Sequence, residues 1–228
     1  MLAAQNEIFA AHIDDVIIKI DEDLFVTPHW LEHLVDGYRD HAERPDVPLV
    51  MPLVPISPPG RHVLNRFLRL SYPSERHMYA GPPIEENWVY HRWMWEKLIH
   101  ENMAEVYLHD APAKYAYVGY LTINCVIFDQ RIMRLMLPFP TTRVAGQATT
   151  DEKAFNLALN AGKMKVAVLG RSLAHHYSFA KCEEYLRSHV PLDRVWRFMQ
   201  GLSGDLPTAI RRRPPAQPGD LHLLRVGG

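Results

Sequence analysis

Val16, Ile17, Ile18 and Ile20 form a continuous β-branched run. Such a run predicts a strand covered on both faces of a parallel sheet rather than a half-exposed alternating one. Leu2 to Ala11 before it suits a short helix running into a turn at His12 to Asp15, and the strand stops at Asp21-Glu22-Asp23. After Leu24 to Val26, Thr27 is a good N-cap and Pro28 a good first helical residue. Leu31, Leu34, Val35 and Tyr38 then repeat at helical spacing. Strand, acidic turn and helix are therefore expected in order. Leu49 to Ile56 reads as a second strand, and the prolines between Pro52 and Pro58 predict an edge or irregular one. From Arg61, the residues Val63, Phe67 and Leu70 share a helical face until Tyr72-Pro73 breaks it, and Ser74 to Pro83 reads as a loop. Trp88, Arg92, Trp95 and Ile99 trace a further helical stripe. Its aromatic faces suit core filling first and sugar stacking second.

Tyr117 to Phe128 is strand-like around Gly119, and Ile132 to Leu137 predicts a short helix ended by Pro138. A helix opening at Thr149-Thr150-Asp151-Glu152 would bury Ala154, Phe155, Ala158 and Leu159 and close at Gly162. Val166 to Leu169 predicts a strand leading to His175-His176. Leu192, Val195, Trp196 and Met199 give a last amphipathic helix closed by Gly201. Pro207 to Gly228 is rich in proline and glycine and carries Arg211-Arg212-Arg213, the composition of a segment without fixed structure. The division expected is a folded portion over 1–202 and a disordered tail over 203–228. Alternating strands and helices imply an α/β sheet, in which ligands collect beyond the carboxyl ends of strands. Both polar clusters fall at such ends.

The chain has 228 residues, which fits one domain, and 47% are apolar, enough for a real core. Its 25 lysines and arginines against 26 acids leave a formal charge of −1, so the overall balance encodes no nucleic-acid groove. Cys125 and Cys182 are the only cysteines, which excludes a disulfide framework or a four-cysteine zinc site and suits a reducing compartment. No basic leader is visible, and no apolar run approaches the ~20 residues of a membrane span. A soluble cytoplasmic protein is expected.

Asp21 and Asp23 stand two apart just after a strand, so both carboxylates can converge on one point beyond the sheet. Two hard oxygen donors there would attract Mg²⁺ or Mn²⁺, whose remaining positions water and substrate phosphates fill. The plainer alternative is a solvated acidic turn. His175 and His176 follow the later strand and could add an imidazole nitrogen to the same ion, its second nitrogen oriented by a neighbour; a surface or core pair is the competing reading. Asp151 or Glu152 could act as general base toward an acceptor hydroxyl. The structural alternative is a capping box from Thr149 to Glu152, with Asp151 favouring the helix dipole. Arg171, Tyr177 and Ser178 could touch phosphate oxygens. P-loop, dinucleotide-turn, serine-elbow and zincin motifs are missing from the sequence.

The run from Val16 through Asp21-Glu22-Asp23 to Leu31 resembles the strand, Asp-x-Asp motif and following helix of GT-A-fold glycosyltransferases, particularly the family 2 type. Thr150 to Phe155 resembles their acidic acceptor-side motif, and Leu173 to Phe179 is similar to their histidine-containing segment. The resemblance implies a GT-A-like, mostly parallel sheet flanked by helices. It further implies transfer of a sugar from a nucleoside diphosphate donor to a glycan or lipid-linked hydroxyl, with inversion. Asp21 and Asp23 would hold Mn²⁺ or Mg²⁺ together with His175 or His176. Asp21, Glu22, Tyr177 and Arg171 would face the donor, and Glu152 or Asp151 would be the base. The order Asp-Glu departs from the family's more usual Glu-Asp. Only Met1 to Asp15 precede the motif strand, where the family has two or three βα units forming the nucleoside pocket, so an N-terminally truncated fold is expected. A metal-dependent phosphoesterase and an inactive interaction module are the competing functions. The arginines of the tail could add a weak peripheral membrane contact worth about 1 kcal/mol each.

Overall fold

A computed structural model describes residues 2–81, 84–110, 113–139 and 150–202; the basic tail and Thr149 lie outside them. The elements run α1 (Leu2–Ala11), β1 (Ile17–Ile20), β2 (Leu24–Val26), α2 (Trp30–Asp40), β3 (Leu49–Leu53), α3 (Pro58–Ser71), α4 (Arg76–Tyr79), α5 (Trp88–Glu101), α6 (Met103–Asp110), β4 (Tyr115–Val118), β5 (Cys125–Phe128), α7 (Gln130–Met136), α8 (Asp151–Ala161), β6 (Val166–His176), α9 (Ala180–His189) and α10 (Leu192–Leu202). Short 3₁₀ turns flank α4, where the sequence reads as loop.

The strands form one mixed sheet in the order β1-β5-β3-β6-β2, with β4 also paired to β6. Among the described residues only β3 and β6 run parallel; the other four pairings are antiparallel, which corrects the expectation of a mostly parallel sheet. The β-branched run was the misleading signal. β1 ends the strand order, and Val16, Ile18 and Ile20 are exposed at 50%, 38% and 46%, so it is covered on one face only. β3, expected to be an edge or irregular strand, is not at an edge: it lies at the centre with all five residues buried, and its irregularity is at the proline. Its proline is accommodated where the pairing with β6 shifts register between Pro52 and Leu53.

β1 and β2 lie at opposite ends of the strand order, yet only Asp21, Glu22 and Asp23 separate them. From Ile20 to Leu24 an extended chain covers at most about 14 Å, so the sheet must curl until its ends nearly meet. Long β6 makes this possible: its first half pairs with β3 and β4, and its last three residues pair with β2. The start of β5 and the end of β6 therefore converge on the acidic turn.

Helix caps differ from the sequence reading in two places. Thr27 does not cap α2; its hydroxyl donates to the Leu173 carbonyl at 3.1 Å, tying the end of β2 to β6. The residue before α2 is His29, in the left-handed region at φ 59°. Thr150, rather than Thr149, caps α8, accepting from the Lys153 amide at 3.2 Å. α3 begins three residues before Arg61, with Ser57 accepting from the Gly60 amide at 3.1 Å. The buried stripe of α8 is the expected one, while Gly201 lies inside α10 rather than closing it.

The aromatic segment of α5 fills the core: Tyr90, Trp93 and Trp95 are all at most 3% exposed. Trp95 packs edge-on to Phe25 of β2 and to His175 of β6, and its indole NH donates to the Tyr177 carbonyl at 2.9 Å. This contact holds the β2–β6 end of the sheet beneath the acidic turn.

Candidate metal centre

Asp21, Asp23 and His176 each present a ligand atom within 4.8 Å of the other two. Strand geometry explains the set. Leu24 is paired with His176, so the residue before Leu24 lies beside the end of β6. His176 Nε2 is 3.0 Å from Asp23 Oδ2, and the Tyr177 amide donates to the Asp23 carbonyl at 3.2 Å. Asp21 is fixed from the β5 side: its amide donates to the Asn124 carbonyl at 2.8 Å, and Asn124 Nδ2 donates to Asp21 Oδ2 at 2.9 Å. Asp23 is the most open of the three side chains and His176 the least.

Successive strand residues face opposite sides of a sheet, and this separates the two histidines. His176 faces the acids. His175 points into the core against Trp95, 4.2 Å between ring centroids, with both ring nitrogens buried and without a hydrogen-bond partner among the described residues. Complete burial depresses its basicity well below that of a free imidazole. Among the described residues the expected second-nitrogen partner of His176 is not found: its Nδ1 is buried with no partner there.

Two carboxylates and one imidazole are a mixed oxygen and nitrogen donor set suited to Mn²⁺, which accepts imidazole more readily than Mg²⁺ does. An ion held by these three would keep positions for a substrate's oxygens. The candidate cofactor thus fits the residues present.

The acidic start of α8 reaches the same place through a residue that sequence reasoning missed. Lys19 Nζ is 2.6 Å from Asp21 Oδ1 and 4.0 Å from Asp151 Oδ2, and it also donates to the Ile123 carbonyl at 3.2 Å. Asp151 further accepts from Gln5 Nε2 of α1 at 3.0 Å and from the Glu152 amide at 2.9 Å. The Glu152 carboxylate accepts from the Ile123 amide at 3.3 Å, and the capping partner expected for it, Thr149, lies outside the described residues. Both candidate bases lie beside the loop before β5 that carries Asn124. A lone lysine within a run of isoleucines between acids was the available sequence signal.

The remaining candidates are not gathered in. Glu22 is exposed and makes no hydrogen bond or ion pair with the described residues. Tyr177 is buried and its hydroxyl donates to the Val190 carbonyl at 2.9 Å, which removes it as a phosphate contact. Ser178 donates to the Phe179 carbonyl and contacts buried His91. Arg171 is exposed on β6, about 16 Å along the strand from His176 at ~3.3 Å per residue, too far to share a ligand phosphate. Cys125 and Cys182 are buried, and burial pushes both thiols up, away from reactive thiolate character.

No protein-family model, curated protein or solved structure matches the chain. Among the described residues no helix is long and apolar enough to cross a membrane.

Proposed function

We propose that the protein is a metal-dependent glycosyltransferase of GT-A-like organisation, moving a sugar from a nucleoside diphosphate donor to a glycan or lipid-linked hydroxyl. The observation that carries this reading is the meeting of Asp21, Asp23 and His176 at one point, with Asp151 joined to Asp21 through Lys19. Bound Mn²⁺ would supply charge neutralisation at the departing diphosphate. Asp21, Asp23 and His176 would hold it. Asp151 or Glu152, at the positive end of α8, would accept the proton of the attacking hydroxyl. Attack opposite the leaving group inverts the anomeric carbon.

The test is incubation of the chain with Mn²⁺, a panel of nucleotide sugars and hydroxyl acceptors. Acceptor-dependent release of nucleoside diphosphate, lost in Asp23→Asn, is the expected result. Acceptor-independent hydrolysis of simple phosphate esters would replace this reading with a phosphoesterase. Absence of Mn²⁺-dependent nucleoside diphosphate binding would leave an interaction module.

A further inference from the structure

We propose that the cleft between α3, α6 and β4 binds an amphiphilic anion, a phosphate or carboxylate carried on an alkyl chain. The cleft has a volume of about 450 Å³, inside the ~300–1,000 Å³ range of small-molecule sites. It is a different place from the metal centre and does not depend on it.

Three observations define the ligand. His62 and Arg66, one turn apart on α3, both line the cleft and have no hydrogen bond or ion pair with the described residues. An unpaired guanidinium is a fork of donors matched to phosphate or carboxylate oxygens. Beneath them Tyr107 is 3% exposed and lines the same cleft, its hydroxyl without a hydrogen-bond partner among the described residues. A tyrosine hydroxyl left unpaired is available as a donor to a ligand oxygen. The third observation is the apolar wall: Phe67 packs edge-on to Tyr107, and Leu70, one turn beyond Arg66, stands 73% exposed at the mouth. Along α3 the surface passes from cation to bare hydrocarbon, which fits a charged head followed by a chain. Asp110 also lines the cleft, with its carboxylate 2.8 Å from His109 Nδ1.

The experiment is calorimetric titration of the full chain with decyl phosphate below its micelle concentration, with inorganic phosphate and decanol as partial ligands. A single saturable site for decyl phosphate is expected, at least about tenfold tighter than for either partial ligand. Arg66→Gln and His62→Gln are exposed changes and should each weaken it, Arg66→Gln about tenfold or more; Tyr107→Phe, which keeps the ring, should weaken it severalfold. Asp23→Asn should leave it unchanged, so failure here is distinguishable from failure of the metal site. Vesicles of phosphatidic acid in phosphatidylcholine separate the sources: Arg66-dependent vesicle binding identifies a membrane lipid, and binding of monomeric decyl phosphate alone identifies a free amphiphile. No saturable binding of decyl phosphate, equal binding of decanol, or an Arg66→Gln protein that binds like the parent would overturn the proposal.

Discussion

Replacing Asp23 by asparagine isolates the charge of one proposed ligand. The side chain is about half exposed, and its backbone carbonyl still accepts from Tyr177, so the turn keeps its geometry. Asp21 remains held by Asn124 and Lys19, and His176 remains at the end of β6. Only one negative charge next to the ion disappears. With the Coulomb energy 332/(εr), a dication about 2.1 Å from a unit charge in a water-like dielectric of about 80 gains about 4 kcal/mol. At about 1.4 kcal/mol per decade this is nearly three orders of magnitude in Kd. The amide oxygen recovers part of it, so Asp23→Asn should weaken Mn²⁺ binding about 100- to 1,000-fold. Calorimetry, or the electron-spin signal of free Mn²⁺ at fixed pH and salt, reads this directly. His176→Gln should weaken binding too, whereas Asp151→Asn should leave it nearly unchanged, because Asp151 touches Lys19 and not the cluster. If Asp23→Asn and His176→Gln bind Mn²⁺ as the parent does, the three side chains form an acidic turn and no metal site.

Three further outcomes test the packing around the site. His175→Leu removes two buried nitrogens that have no partner among the described residues and should raise stability by about 1–3 kcal/mol in urea unfolding; a loss of stability would mean that those nitrogens are satisfied. Acidification should destabilise the fold through His91, whose pKa burial lowers from 6.5 to about 4. The unfolded imidazole takes up its proton first, so the contribution is complete above pH 6.5 and disappears as pH falls toward 4, at 1.36 kcal/mol per unit about 3 kcal/mol in all. His91→Gln should flatten that limb of the stability-against-pH curve, and an unchanged slope would refute the assignment. Gly60→Ala should cost about 3 kcal/mol despite alanine's better helix propensity, because its Cβ would stand 1.7 Å from the Val54 carbonyl oxygen; thermal unfolding at or above the parent midpoint would contradict this.

Helices were more legible in the sequence than strands. The α8 stripe of Ala154, Phe155, Ala158 and Leu159 is buried as its spacing requires, and α1 and α7 fall close to where period and proline place them. The strands misled because composition reports burial, not neighbours. Isoleucine-rich β1 lies half bare at the end of the order, while proline-containing β3 occupies its centre. Of the site, the Asp-x-Asp pair and one histidine were legible, because residues at a strand end with like parity face one way. Which histidine faced the acids depended on the register of β2 against β6, a long-range property that local pattern does not encode. Lys19 escaped for the same reason: its partners Asp151 and Ile123 are more than a hundred positions away.

The curl of the sheet gives the site its chemical order. A flat five-strand path would hold the acids after β1 and the histidine at the end of β6 on separate flanks, with no point where one ion could meet both. Closure through a three-residue turn brings them together, and it also draws in the β5 loop and the start of α8, which would otherwise leave Asp21 and Asp151 as neighbouring like charges. Lys19 offsets both from a mostly buried position. Under the proposed reaction Asp21 would share its carboxylate between a held divalent ion and Lys19, and Lys19 also stands 4.0 Å from Asp151 on the side of the base. Lys19 is then the residue that joins the acidic turn to the start of α8.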